Sequence, residues 1–143
     1  MTGSTDLAQM LATLDVVVRD GTFVYATVPA GHPATARAHA VVVEDEGVTL
    51  VLRSTDAEEF DVSATFDAAW LTLTVHSALE AVGLTAAFSR TLGDAGIPCN
   101  VLAGFHHDHL LVPVDHRDRA LAVLRALRDD AREPRGAGGR PGR

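Results

Sequence analysis

Between residues 70 and 128 the hydrophobic pattern passes from strand to helix and back, and that order restricts the fold more than any other feature of the chain. Leu71, Leu73 and Val75 alternate with Thr72, Thr74 and His76, the signature of a half-buried strand. Gly83 precedes Leu84, Ala87, Phe88, Leu92 and Ala95, an apolar stripe at helical spacing that stops at Gly96. Ile97 to Ala103 and His109 to Val114 read as two more strands. Asp115 is placed to cap a last helix whose inner stripe is Ala120, Val123, Leu124 and Leu127. The order β-α-β-β-α is a ferredoxin-like split βαβ lacking only its final strand. The segment AREPRGAGGRPGR has too little apolar surface to supply it, and residues 129–143 read as a disordered tail. The missing strand must come from the first half, so the halves are expected to interlock around shared sheets.

The first half has strand-like segments to spare. Thr5 is placed to cap a short helix from Asp6 to Leu14, with Leu7, Met10, Leu11 and Leu14 on one stripe. Asp20-Gly21 is a turn signal before a strand from Thr22 to Val28. Pro29, Gly31 and Pro33 make a loop, and Ala34 to Val43 suits helix or strand equally. Val48 to Leu52 is a strand, and Thr55 to Glu59 a single helical turn capped by Ser54 or Thr55.

Composition excludes several classes of function. Hydrophobic residues make up 47 % of the 143, yet no apolar run approaches the roughly 20 residues that span a bilayer, so no membrane partner is expected. The start, MTGSTDLAQM, carries neither a positive charge nor a continuous apolar segment, which argues for a cytoplasmic protein. Cys99 is the single cysteine, which precludes an intramolecular disulfide. Net charge is −7, and the last thirteen residues hold four arginines against one acid, so the acidity belongs to the body. An acidic body repels polyphosphate, and no nucleic-acid partner is expected.

The run from Leu71 to Leu127 resembles the C-terminal module of small bacterial ACT domain-containing proteins. The resemblance rests on Glu80, Gly83-Leu84, Ala95-Gly96-Ile97 and Asn100 in that order, and upstream on GTFVYATV and VEDEGVTLVLRSTDA. It covers roughly residues 5–128. It implies an α+β fold of two tandem, interlocked ferredoxin-like modules with antiparallel sheets: 1–66, 67–128 and the tail 129–143. It further implies a regulatory, non-catalytic protein without a cofactor, which pairs into a homodimer and binds an amino acid or related zwitterion. One departure stands out: residues 80–83 are Glu-Ala-Val-Gly where many members have Asp-x-Pro-Gly.

The candidate ligand site joins two loops. In the first, His76, Ser77, Glu80, Val82, Gly83 and Leu84 precede a helix whose free backbone N–H groups attract a carboxylate; the competing reading is that Ser77 or Glu80 only caps the helix. In the second, Gly104, Phe105 and Asp108 lie on a hairpin, where the resemblance implies that Asp108 meets an ammonium group; the competing reading is a polar tip facing water. The cluster His106, His107, Asp108, His109 invites a metal-dependent enzyme as an alternative. On extended chain only alternate residues such as His107 and His109 converge, and a closed site needs about four ligands. A third possibility is an interaction module with a vestigial pocket. No G-x-S-x-G elbow accompanies Ser77, and Cys99, Trp70 and Tyr25 read as packing groups.

Overall fold

The computed structural model describes residues 6–75 and 82–133. Helix α1 (Leu7–Ala12) leads into β1 (Val16–Val28), a short 3-10 turn (Pro33–Arg37), β2 (Ala40–Glu44) and β3 (Gly47–Arg53). After α2 (Ser54–Glu59) come β4 (Ala64–Leu73), α3 (Leu84–Asp94), β5 (Asn100–Ala103) and β6 (Asp108–Pro113). A second 3-10 turn (Val114–His116) opens α4 (Arg117–Arg132). The six strands form one antiparallel sheet ordered β2-β3-β1-β4-β6-β5.

That order contains the ferredoxin-like arrangement twice. The first module takes β2-β3-β1-β4 and the second takes β1-β4-β6-β5, so β1 and β4 serve both. Val16–Arg19 of β1 pairs with the end of β4, and Phe23–Val28 pairs with β3. The strand missing from the second half is therefore the first stretch of β1, and the expected interlocking takes the form of two shared strands.

The shared strands bend where they pass from one module to the other. Arg19 faces Trp70 and Phe23 faces Ala68, which leaves two extra residues in β1 around Gly21, at φ +94°. Between Phe23 and Tyr25 the extra residue lies in β4, where Phe66 has φ +64°. These are β-bulges, and the Asp20-Gly21 turn signal marks a bulge inside one long strand. The same positive φ serves either feature.

All four helices pack on one face. Met10, Leu14, Val16, Leu71, Leu73, Leu84, Phe88, Leu92, Leu110 and Leu124 form the larger core beneath α1, α3 and α4. Val24, Ala26, Leu50, Leu52 and Ala57 form a smaller one beneath α2. Phe23, Val51, Ala68, Trp70 and Leu111 are buried on the opposite, helix-free face.

Other boundaries differ from expectation for local reasons. Asp6 caps α1 by accepting from the Gln9 N–H, while Thr5 lies outside the described residues. Helix α3 ends as read: Ile97 N–H donates to the Leu92 carbonyl and Gly96 N–H to that of Gly93, a Schellman closure. That closure holds Ile97 against the core, so β5 starts only at Asn100. Asp115 caps nothing, because the 3-10 turn that contains it intervenes and His116 holds the cap position of α4. Residues 129–132, expected in the tail, instead continue α4, where the Arg132 Nε donates to the Ala12 carbonyl at 2.6 Å. Residues 134–143 lie outside the described residues.

Candidate functional site

Of the expected ligand residues, His76, Ser77 and Glu80 lie outside the described residues. Val82 is 84 % exposed. Gly83 is the N-cap of α3 with φ +99°, and among the described residues no side chain caps the helix there. A Cβ on Gly83 would meet Leu7 of α1 at 3.1 Å, so this helix start is roofed by α1. Leu84 is buried in the core and offers the site only its backbone.

The hairpin between β5 and β6 is tight. Gly104 N–H donates to the His107 carbonyl at 2.9 Å. A Cβ at 104 would stand 2.9 Å from that carbonyl and 3.0 Å from His109 Nε2, so no side chain fits. Phe105 projects 80 % exposed, with His106 edge-on at 4.9 Å. Asp108 is partly buried and stands in register with Leu73 and Ala103, at the end of the sheet where β4 stops. Burial pushes its carboxyl above the usual range, and His109 and His107 partly oppose that. No arginine pairs with it among the described residues. Register thus brings Asp108 to the end of β4, whereas Gly83 lies against α1.

The three histidines of the cluster do different things. His109 turns to the helix-free face, His107 holds a buried Nδ1 without a hydrogen-bond partner among the described residues, and His106 stands against Phe105. Among the described residues no three His, Cys, Asp or Glu side chains gather as a metal would require.

The helix-free face carries a second group of polar residues, which sequence patterns do not reveal. Trp70 is 2 % exposed at its centre. The Arg19 guanidinium carbon lies 4.1 Å from the Trp70 ring centroid, and Arg19 donates to His39 Nδ1 at 2.9 Å. His39 stands edge-on to Phe23 at 5.0 Å, and the Arg53 guanidinium carbon lies 6.0 Å from the Phe23 ring centroid. On the far side His109 Nδ1 accepts from the Trp70 indole N–H at 3.2 Å and from the Thr72 hydroxyl at 3.0 Å. An indole nitrogen only donates, so His109 Nδ1 is unprotonated, and the Arg19 contact requires the same of His39. Burial and then neighbouring Arg19 hold both imidazoles below the usual histidine range. Five separate segments contribute these residues, and only the sheet order unites them.

Family comparisons match an ACT domain at residues 2–69 and a second at 65–126, overlapping within β4. A Vibrio cholerae protein of unknown function, described as a possible transport protein, is 35 % identical with a TM-score of 0.78; the match covers 85 % of this chain and 95 % of that one. An Agobacterium tumefaciens protein is 19 % identical, TM-score 0.64, over 80 % and 89 % of the two chains. The regulatory subunit of aspartate kinase from Thermus flavus shares the fold at 8 % identity and TM-score 0.52, over 80 % and 95 %. No curated protein matches the chain. No helix among the described residues is long and apolar enough to cross a membrane. With two family matches that together span residues 2–126 and the repeated strand order, the chain belongs to the ACT domain family and carries two tandem ACT domains.

Proposed function

We propose that the protein is a non-catalytic, cytoplasmic regulatory module that binds an amino acid or related zwitterion at the end of the sheet where β4 stops. The observation that carries this reading is Asp108: a partly buried carboxylate that no arginine neutralises among the described residues, on the same sheet end as the close of β4. Such a carboxylate suits an ammonium group, which needs an anionic partner once it loses water. The first backbone N–H groups of α3, at Gly83 and Leu84, suit the carboxylate end of the ligand. Residues 1–66 and 67–128 are taken as the two modules in sequence, and the fold shared with an aspartate kinase regulatory subunit supports a regulatory role.

A thermal-shift screen of the twenty amino acids tests the reading, because a ligand that binds only the native state raises the melting temperature. No shift at millimolar concentration for any of them removes the proposal. With a ligand identified, Asp108→Asn is expected to weaken calorimetric affinity by one to two decades, since a charge-assisted hydrogen bond contributes about 1.5–3 kcal/mol. Unchanged affinity in the folded variant takes Asp108 out of the site.

The same reading includes a homodimer. Among the described residues β2 pairs only with β3, and its Val41, Val42 and Val43 are 45 %, 46 % and 81 % exposed. An open apolar edge of this kind pairs readily with another strand. A monomer by light scattering across a wide concentration range counts against it. The exposed edge also favours a second reading, an interaction module that recruits a different protein, and a co-purifying partner with no amino-acid response supports that one.

A further inference from the structure

We propose that Arg19, Arg53 and His39 form a binding site on the helix-free face of the sheet for a small oxyanion of two or more charges, bearing carboxylate or phosphate groups. This goes beyond the amino-acid site, which the preceding reading puts at the end of β4.

The charge distribution motivates it. In a chain of net charge −7, Arg37, Arg117 and Arg128 each pair with a carboxylate. Arg19 and Arg53 have no such partner among the described residues, and their charges repel. Both also repel a proton on His39. Two unpaired guanidinium groups held near each other, in surroundings that exclude part of the water, attract an anion more strongly than dispersed surface charges do.

The geometry is preorganised. Trp70 is fixed in the buried layer, and the Arg19 guanidinium sits over its ring, tethered to His39. Arg53 sits across the strand pair from Phe23, and the Gly21 bulge leaves ordinary contact distance beside it, 3.9 Å from a Cβ built there. A guanidinium has five N–H donors in a planar fork, so Arg19 can engage a carboxylate or phosphate with donors not used on His39.

The tether makes binding proton-linked. His39 accepts from Arg19 only while its Nδ1 is bare. The charged groups that act on it are Arg19 from β1, Arg53 from β3 and Asp56 from α2, the last already bonded to Arg37 at 2.9 Å. An anion that draws Arg19 away and offsets both guanidinium charges removes what suppresses protonation. His39 then takes up a proton and donates to the anion, so affinity rises as pH falls through the histidine range.

Calorimetric titration of the full chain with citrate and, separately, inorganic pyrophosphate tests this, in buffers of different ionisation enthalpy near neutral pH. The expected result is saturable binding with net proton uptake, weakened about tenfold or more by Arg53→Gln and unchanged by Arg37→Gln. His39→Gln should abolish the uptake. Binding of citrate alone assigns carboxylate as the ligand chemistry, and of pyrophosphate alone phosphate. Arg53→Lys, which keeps the charge, should retain part of the affinity and guards against a folding defect in Arg53→Gln. Three results overturn the proposal: no heat from either probe up to about 10 mM, equal binding by folded Arg53→Gln, or binding without proton uptake.

Discussion

If β1 belongs to both modules, the second module cannot fold from its own residues. A fragment of residues 64–133 retains α3, α4, β4, β5 and β6 but loses Met10, Leu14 and Val16, which are 0 %, 1 % and 7 % exposed in the larger core. Burial of each such side chain contributes about 1.5–3 kcal/mol. Together the three amount to about 4.5–9 kcal/mol, comparable with the whole stability of an ordinary domain at about 5–15 kcal/mol. The fragment also exposes the inner edge of β4, from Trp70 to Leu73, that Val16–Arg19 had paired. The expected outcome is a fragment with no cooperative urea transition by circular dichroism and a collapsed amide spectrum. Adding a peptide of residues 6–28 in trans should restore the transition. In the intact chain, Leu14→Ala alone should cost about 2–5 kcal/mol in urea unfolding. A fragment that unfolds cooperatively near the wild-type midpoint refutes the argument, because the shared strand would then be dispensable.

Gly21→Ala should cost about 1–2 kcal/mol by chemical denaturation, since φ +94° strains any L side chain while the surroundings leave room for a methyl group; a neutral result places the bulge elsewhere in solution. Burial pushes the Cys99 thiol up to about 11, so iodoacetamide should label the native protein far more slowly than the unfolded one at mildly alkaline pH, and equal rates contradict the packing described. Because His39 and His109 titrate lower folded than unfolded, the unfolded chain binds more protons near pH ~6.5, and stability should fall as pH drops through that range. Urea midpoints across that window should show a shallower slope for His109→Gln than for wild type, and an unchanged slope removes His109 from the account. Truncation after Arg128 should lower the melting temperature by removing the Arg132 bond to Ala12, and Arg132→Ala should reproduce part of the loss; an unaffected melt in both shows that the last turn of α4 contributes nothing.

The parts that can be read from sequence are those whose partners are near in the chain. Leu84, Phe88 and Leu92 mark α3 because their spacing records one buried stripe, and Leu71 and Leu73 mark the end of β4 for the same reason with period two. The first stretch of β1 is not legible because Asp20-Gly21 interrupts the pattern, and because only the part beyond the bulge pairs with β3 as well as β4. The start of β4 is hidden because the bulge at Phe66 breaks strict alternation. Gly83, Gly104 and Asp108 stand out by residue type and position. Arg19, His39, Arg53 and His109 do not, since no local spacing relates them and only the order β3-β1-β4-β6 sets them side by side.

Strand sharing also imposes an order on synthesis. β1 is made early, yet its neighbours β3 and β4 end only at Arg53 and Leu73. At about 5–20 residues per second, several seconds pass during translation before both edges of β1 can close. During that interval Val16, Val17 and Val18 form a short β-branched run with no sheet to join. The ribosome therefore holds a sticky strand in reserve, and co-translational chaperones have reason to meet this chain at its first strand, well before any ligand does.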